Sequence, residues 1–269
     1  MSSLDLLKKA IDANYITRYV CKYRPILNYE NEKSIFNIIK TSSLWFDSAK
    51  SLNDPFDCQL NININSDINE IEEWLKSIRT FKLKYNEDDI KVKAFELYKN
   101  PNYIQEVINE VIDNNGVCCF SKNYDNILQW SHYADSHKGV CLIFDILKDP
   151  SFFDETFSVE YRNDYREYNA IKNFDKFVQE VLLPKYIVWD YEAEIRSFSN
   201  EIGLKKFNPS ALTKIIFGCN TSQEDELKIV NYVSEYKYPN IEFLKAVRNN
   251  KEYKLDFETI SAYHTNPPH

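Results

Sequence analysis

Short apolar runs bounded by polar turns alternate along this chain with amphipathic segments. Val117–Phe120 and Val140–Phe144 have the length of buried strands, and a polar loop rich in histidine and aromatic residues separates them. Further strands are predicted at residues 15–23, 44–46, 157–161, 190–198, 215–217, 241–247 and 253–257. Apolar residues at helical spacing predict helices at residues 4–13, 31–40, 126–133, 170–183 and 222–233. This order predicts an α+β fold around a mixed or antiparallel sheet.

The stretch from Asp67 to Asn115 is strongly charged and repeats apolar residues at helical spacing. It predicts a three-helix insert between strands of a single domain that spans residues 1–269. Amphipathic helices with charged outer faces are mostly solvated structural elements, so the insert is interpreted as a cap. The tail from His264 to His269 is predicted to be disordered.

The composition excludes several classes of protein. With 4 glycines, the chain has no glycine-rich phosphate loop of the P-loop or dinucleotide-binding type. A net charge of -8 argues against a broad basic face for duplex DNA. The first 15 residues do not form a signal peptide and no run approaches a membrane span, so a cytoplasmic location without membrane partners is expected. The 6 cysteines lack a CxxC pair and are interpreted as reduced, buried packing residues.

Two glutamates, Glu192 and Glu194, stand two residues apart in a predicted strand. On a strand they would share one face, about 7 Å apart. Like charges this close raise one pKa unless a cation intervenes, and such a pair suits acid–base work or a cation-like transition state. The alternative is a solvated strand face with Arg196 as the ionic partner.

Two histidines lie in the loop between the first two strands named above. His132 and His137 are five residues apart, which does not place them on one helix face and excludes a zinc site of the HExxH type. A carboxylate partner is expected from Asp54, Asp57 or Glu192. The alternatives are a histidine that bonds only to structure and, for the segment around Asp54, a plain Asn-Asp-Pro turn.

Several motifs occur in an order that resembles a known family. They read KYRP, LWFDSAKSLNDPFDC, WSHYADSHKG, VWDYEAEIRSF and IIFGC. In this order they resemble the bacterial domain of unknown function 2971. The resemblance covers roughly Lys22 to Phe217 and leaves the helical insert variable. The family name assigns no activity.

More remotely, the order of elements resembles an ADP-ribosyltransferase core. That resemblance implies that Arg24 grips a phosphate of NAD in a bidentate manner and that Ser48 holds the nicotinamide-side ribose. Tyr23 or Trp45 would stack on the base. The usual Ser-Thr-Ser signature is absent, because Phe46-Asp47-Ser48 stands in its place.

The same resemblance implies that Glu194 stabilises the positive charge that develops as nicotinamide leaves, while Glu192 orients the acceptor. The loop WSHYADSHKG has no role in that scheme and is interpreted as an acceptor or partner site. The candidate catalytic residues are Glu194, Glu192, Arg24 and His132. The candidate cofactor-binding residues are Arg24, Tyr23, Trp45, Ser48, Asn53 and Asp54. Further motif residues are Asp57, Trp130, Tyr133, His137, Lys138 and Arg196.

Three functional hypotheses follow. The first is an NAD-using transferase or glycohydrolase, acting as a toxin or phage-defence effector on a protein or nucleic-acid acceptor. The second is a metal-dependent nuclease or hydrolase, whose Mg or Mn ligands would be Asp54, Asp57, His132, His137 and Glu192. The third is a non-catalytic sensor that binds a small nucleotide through its aromatic and arginine residues.

Overall fold

A computed structural model describes residues 2–59, 61–63, 65–236, 238 and 240–260; for Ile62 it describes the backbone alone. The predicted disordered tail at 264–269 lies outside these residues, and the single-domain organisation stays a prediction. The helices are α1 Ser3–Asp12, α2 Ile35–Thr41, α3 Ile68–Ser77, α4 Arg79–Lys84, α5 Glu87–Lys99, α6 Tyr103–Asn114, α7 Ile127–Tyr133 and α8 Gln223–Ser234. In the described part of the chain, no helix is both long and apolar enough to cross a membrane.

Strands and helices are interleaved, which confirms the predicted α+β class. The strands are β1 Tyr19–Arg24, β2 Ser43–Ser48, β3 Asn61–Ile62, β4 Gly116–Ser121, β5 Val140–Asp145, β6 Thr156–Ser158, β7 Glu160–Arg162, β8 Glu167–Tyr168, β9 Pro184–Tyr186, β10 Glu194–Ser199, β11 Gly203–Lys206, β12 Leu212–Phe217, β13 Glu242–Arg248 and β14 Leu255–Thr259. Ten of these described strands form the main sheet in the order β11-β2-β4-β1-β5-β12-β13-β14, with β10 pairing to β4 and β6. The pairs within it are antiparallel except β12–β13.

Strand β5 lies at the centre of the sheet and all six of its residues are buried. Leu142 and Phe144 face the main core, which includes residues of α2 and α8. Cys141 and Ile143 face a smaller core that includes Trp130 of α7. Because both faces of β5 are covered, its sequence is a continuous apolar run rather than an alternating one.

The helical stretch between β3 and β4 contains four helices and not the three predicted. Ile78 takes extended backbone angles between α3 and α4 and so divides one expected helix into two. The four helices share a core of their own, to which Trp74, Ile90, Leu97 and Ile108 contribute.

The prediction of a regular helix at residues 170–183 is wrong. This segment contains a 3-10 turn at Phe174–Lys176 and a π-helical turn at Val178–Leu182. The Leu183 amide donates to the Val178 carbonyl, a wider spacing than in an α-helix. The Leu182 carbonyl accepts a hydrogen bond of 2.6 Å from the Arg196 side chain, so a tertiary contact takes over one end of the segment.

The sheet splits along one edge of β4. Strand β2 pairs with Gly116 and Val117, whereas β1 pairs with Ser121. Between these points the Lys22 ammonium group donates to the Cys119 carbonyl at 2.7 Å. The split leaves a gap between β1 and β2 on this side of β4, and the gap positions the site described next.

Candidate functional site

Five buried charged side chains form one ion-pair cluster: Asp57, Lys185, Glu192, Glu194 and Arg196. Lys185 Nζ lies 2.5 Å from Glu192 Oε2 and 2.9 Å from Glu194 Oε2. Arg196 Nε lies 2.8 Å from Glu194 Oε1, and Arg196 Nη2 lies 3.0 Å from Asp57 Oδ1. Each side chain therefore has a partner of opposite charge inside the cluster, as buried charges require.

Glu192 and Glu194 do not lie on one strand, so the predicted strand geometry is wrong. Glu192 ends a 3-10 turn that begins at Ile187, and Ala193 then takes a left-handed conformation with φ 43°. Strand β10 begins only at Glu194. The two carboxylates come together because Lys185, on the neighbouring β9, binds both.

The loop with the sequence NDPFD, residues 53–57, holds the cluster at two points. Asn53 Nδ2 donates to the Tyr133 hydroxyl at 3.1 Å, and that hydroxyl donates to Glu192 Oε1 at 2.5 Å. Asp57 binds Arg196 at the other end of the loop. Asp54 accepts from the Phe56 amide at 2.9 Å and shapes the turn between these two contacts.

The cluster separates the acidities of its carboxylates. Burial would raise the pKa of Glu194, but the charges of Arg196 and Lys185 and their hydrogen bonds outweigh burial and lower it to about 2. Burial dominates at Asp57 and raises its pKa despite the nearby cations. Burial opposes the charge of Lys185, yet the two glutamates raise its pKa. Glu194 is thus a carboxylate at any ordinary pH.

The low pKa of Glu194 predicts a specific acid sensitivity. Because it falls from 4.5 to about 2 on folding, its stabilising contribution is complete above 4.5 and is lost as the pH falls towards 2. The full contribution is about 3 kcal/mol, at 1.36 kcal/mol per pKa unit. The raised pKa of Asp57 works in the opposite direction and reduces the net loss.

Urea unfolding between about pH 5 and about pH 2.5 measures this effect as a slope of the unfolding free energy against pH. We expect a smaller slope in Glu194→Gln, since glutamine does not titrate. Equal slopes in the two proteins would contradict the assignment of the low pKa to Glu194.

A cavity of about 220 Å³ opens at the split in the sheet, beside the ion-pair cluster. Strands β1, β2 and β4 form much of its wall. Seven of the predicted site residues line it: Tyr23, Arg24, Trp45, Asn53, Tyr133, Glu192 and Glu194. Lining residues that the sequence analysis missed include Lys22, Asp47 and Lys185.

Arg24 lines this cavity without a partner. Its guanidinium makes no hydrogen bond or ion pair with any residue that the structure describes, and its Nε is buried. The charge of Asp47 acts on Arg24, but the ion pair of Asp47 is with Lys33. Burial lowers the pKa of Arg24, which means that the charged form is held in an unfavourable place. A partly buried guanidinium that forms no ion pair with a described residue is suited to an anionic ligand.

Lys22 adds a second cation to the same wall. Its ammonium group contacts the Cys119 carbonyl and lies 5.2 Å from the centre of the Phe120 ring. Burial lowers the pKa of Lys22, and the charge of Arg24 lowers it further. Among the described residues neither cation forms an ion pair with a carboxylate, although Asp47 also lines the cavity and its charge acts on Arg24.

Several predicted residues have structural contacts instead. The Ser48 hydroxyl accepts from the Lys50 amide and caps a 3-10 turn, and Ser48 does not line the cavity. Trp130 is buried and donates to the Tyr124 carbonyl at 2.8 Å. Tyr23 lines the cavity, but its hydroxyl donates to a backbone carbonyl and its ring packs edge-on against Trp130.

The prediction of a carboxylate partner for His132 or His137 is wrong, because no described carboxylate pairs with either ring. His132 is exposed, and its Nδ1 lies 3.5 Å from the Tyr191 hydroxyl. His137 stacks on Trp130, with ring centres 6.3 Å apart, and Lys138 is exposed. None of the three lines the cavity.

The hypothetical metal ligands are also not assembled. Within the described ranges, no three His, Cys, Asp or Glu side chains are grouped so that they could hold a metal ion. Asp57 binds Arg196, and Asp54 shapes its own turn. The described cysteines are free thiols. Cys58, Cys119 and Cys219 pack against the cores as predicted, but they are only partly buried and not fully buried as expected.

Lys185 is the most important residue that sequence reasoning missed. It follows Pro184 in a short polar-aromatic stretch and has no motif around it. Its only signal is proximity to the pair of glutamates seven and nine residues later. That spacing acquires meaning once β9 and the following turn bring the side chains together.

Part of the chain matches a family model. No curated protein and no solved structure matches this chain. Residues 129–197 match the model of a family described as "Protein of unknown function (DUF2971)". The matched segment contains Lys185, Glu192, Glu194 and Arg196, whereas Asp57 lies outside it. No comparison bears on the ADP-ribosyltransferase likeness, which stays a prediction. The resemblance to domain of unknown function 2971 is thereby confirmed over residues 129–197.

Proposed function

We propose that the cavity binds NAD and that the chain transfers its ADP-ribosyl group or hydrolyses the nicotinamide bond. The observation that carries the proposal is the opposite charge of two parts of one cavity. Arg24 lines it as an unpaired cation, and the carboxylates of Glu192 and Glu194 line it as anions. NAD has the matching charges, an anionic pyrophosphate and a cationic pyridinium ring.

Arg24 would hold the phosphate. A guanidinium presents donors in a planar fork that fits phosphate oxygens, and such charge-assisted hydrogen bonds are among the strong ones in proteins. Lys22 adds positive charge on the same strand. Trp45, which is half-buried in the wall, offers an aromatic surface for a ring. The phosphate would be the ion-pair partner that Arg24 lacks among the described residues.

The ion-pair cluster would bind near the cationic pyridinium end of NAD and stabilise its positive charge. It holds three carboxylates against two cations, which leaves one negative charge in excess when all are ionised. Breaking the bond between ribose and nicotinamide places positive charge on the sugar, and a fixed carboxylate stabilises such charge. Glu194 stays ionised because its pKa is about 2. Glu192, held by Tyr133 and Lys185, would orient an acceptor.

The size of the cavity limits how much of the ligand it encloses. Pockets that enclose drug-sized ligands measure about 300–1,000 Å³, and this cavity measures about 220 Å³. It therefore suits one half of a dinucleotide, the part between a phosphate and a ring. The other half would extend beyond it.

The test is nicotinamide release from NAD by the purified protein. We expect steady release of nicotinamide, together with a rise in melting temperature when NAD is added, because a ligand that binds only the folded state stabilises it. The assay is run with and without a protein extract or single-stranded nucleic acid as acceptor. The absence of both nicotinamide release and a thermal shift would contradict the proposal.

A second candidate is a module that binds NAD without turnover. It is favoured by the contacts of Glu194, both of whose carboxylate oxygens already accept hydrogen bonds from Arg196 or Lys185. A carboxylate held in this way resembles a structural support. A thermal shift with NAD but no released nicotinamide would favour this candidate over the enzyme.

A further inference from the structure

We propose that a second cavity, on the other side of Lys185, binds a planar heteroaromatic ring such as a nucleobase. This cavity measures about 280 Å³ and lies between the NDPFD loop and the loop that connects β7 to β8. It is separate from the charged cavity, but Lys185 belongs to the walls of both. The inference does not depend on NAD turnover.

The walls of the second cavity are aromatic and exposed. Phe56, Tyr165 and Tyr186 line it, and 63%, 47% and 48% of their surfaces remain accessible. Tyr165 comes from the β7–β8 loop and Phe56 from the NDPFD loop, and the Tyr165 hydroxyl lies 3.4 Å from the Phe56 carbonyl. Aromatic side chains that converge from separate loops and stay uncovered form a surface on which a flat ring stacks.

The charges around this cavity favour an uncharged ring over a phosphate. Arg162 lines it, but Glu160 and Glu180 neutralise its guanidinium at 2.6 and 3.2 Å. Lys185 is neutralised in the same way by the two glutamates of the ion-pair cluster. No cation of this wall is left unpaired within the described residues, in contrast to Arg24 in the charged cavity.

Two polar side chains at the rim are free to read the edge of a ring. Asn163 and Asp164 follow β7, line the cavity and make no side-chain hydrogen bond in the part of the chain that the structure describes. An amide offers both donors and an acceptor, and a carboxylate accepts from an amino group. Stacking faces with such groups beside them match the chemistry of a nucleobase.

The thiol in this cavity does not point to covalent chemistry. Burial raises the pKa of Cys58 to about 12, so the thiolate is scarce near neutral pH. The cavity is thus suited to reversible binding. The ring could come from either of two sources: the same molecule whose phosphate lies at Arg24, or a separate molecule.

The experiment is calorimetric titration with adenosine, guanosine, cytidine and uridine. We expect at least one nucleoside to bind wild-type protein at millimolar concentrations. Tyr165→Ala should weaken this binding about 5- to 150-fold, which corresponds to the loss of one stacking contact. Tyr165→Phe keeps the ring and should bind as the wild type does, and so should Arg24→Ala, whose change lies in the other cavity.

Three outcomes would overturn the inference. They are the absence of binding by all four nucleosides, equal binding by wild type and Tyr165→Ala, and loss of binding in Arg24→Ala alone. Phe56→Ala provides an independent check, since its exposed ring contributes little to folding. Failure of NAD turnover has no bearing on these results. If NAD and the nucleoside compete, the ring belongs to the same molecule whose phosphate binds Arg24. If they bind simultaneously, the ring belongs to a separate molecule.

Discussion

Arg24→Ala is expected to lower the affinity for NAD about 10- to 150-fold and to leave the melting temperature unchanged or raised. Charge-assisted hydrogen bonds are worth about 1.5–3 kcal/mol each, which sets this range. The guanidinium has no protein partner among the described residues, so its removal breaks no ion pair. Burial disfavours its charge, so the folded protein without ligand loses an unfavourable group. Thermal-shift titration with NAD measures both quantities.

Two variants serve as controls for this prediction. Arg24→Lys keeps the charge but loses the planar fork, and we expect an intermediate affinity. Arg79→Ala removes an exposed arginine of α4 that does not line the cavity, and this variant should bind NAD as the wild type does. A lower melting temperature in Arg24→Ala with unchanged NAD affinity would contradict the proposed role and make Arg24 a structural residue.

Arg196→Met is expected to lower the free energy of unfolding by about 3–5 kcal/mol, the range for breaking a buried ion pair by removal of one partner. The Arg196 side chain is fully buried and binds Glu194, Asp57 and the Leu182 carbonyl. Methionine fills much of the same space but leaves Asp57 and part of Glu194 without a cation. Urea unfolding of both proteins at neutral pH measures the loss.

The matched control is Lys214→Met, which breaks an ion pair with Glu242 on the surface of the sheet. Both side chains of that pair are about two-fifths exposed, so we expect a loss below about 1 kcal/mol. Combining Arg196→Met with Asp57→Asn should recover part of the stability, because one unpaired charge disappears. Equal losses of unfolding free energy in Arg196→Met and Lys214→Met would show that the buried ion pairs contribute no more to stability than an exposed pair.

Elements whose signal is local could be predicted from the sequence. The apolar run at Val140–Phe144 forms the central strand, because a strand covered on both faces needs apolar side chains in both orientations. Helix α8 begins where Ser222 caps it, through a hydrogen bond from the Asp225 amide to the Ser222 side chain. In both cases neighbouring residues supply the physical cause.

The segment around Glu192 and Glu194 shows where local reasoning stops. Alternation of side chains predicted one strand, but Ala193 turns the chain in a left-handed conformation and the strand starts after it. The cause lies elsewhere in the chain, since Ser121 and Gln129 side chains hold the Glu192 carbonyl at 2.6 Å. A pattern with period two cannot report such contacts.

The sequence by itself determined the α+β class, the central strands, the family resemblance and the short list of polar residues from which the site is built. Only the tertiary structure decided which of them meet. Arg196 binds Asp57, which is 139 positions away, and Lys185 acquires its two glutamates when β9 lies beside the turn before β10. Likewise, Arg24 is seen to be unpaired only when every described neighbour is in place. The physical reason is that burial and charge compensation depend on distances between remote segments, whereas helix caps and strand periodicity depend on adjacent residues.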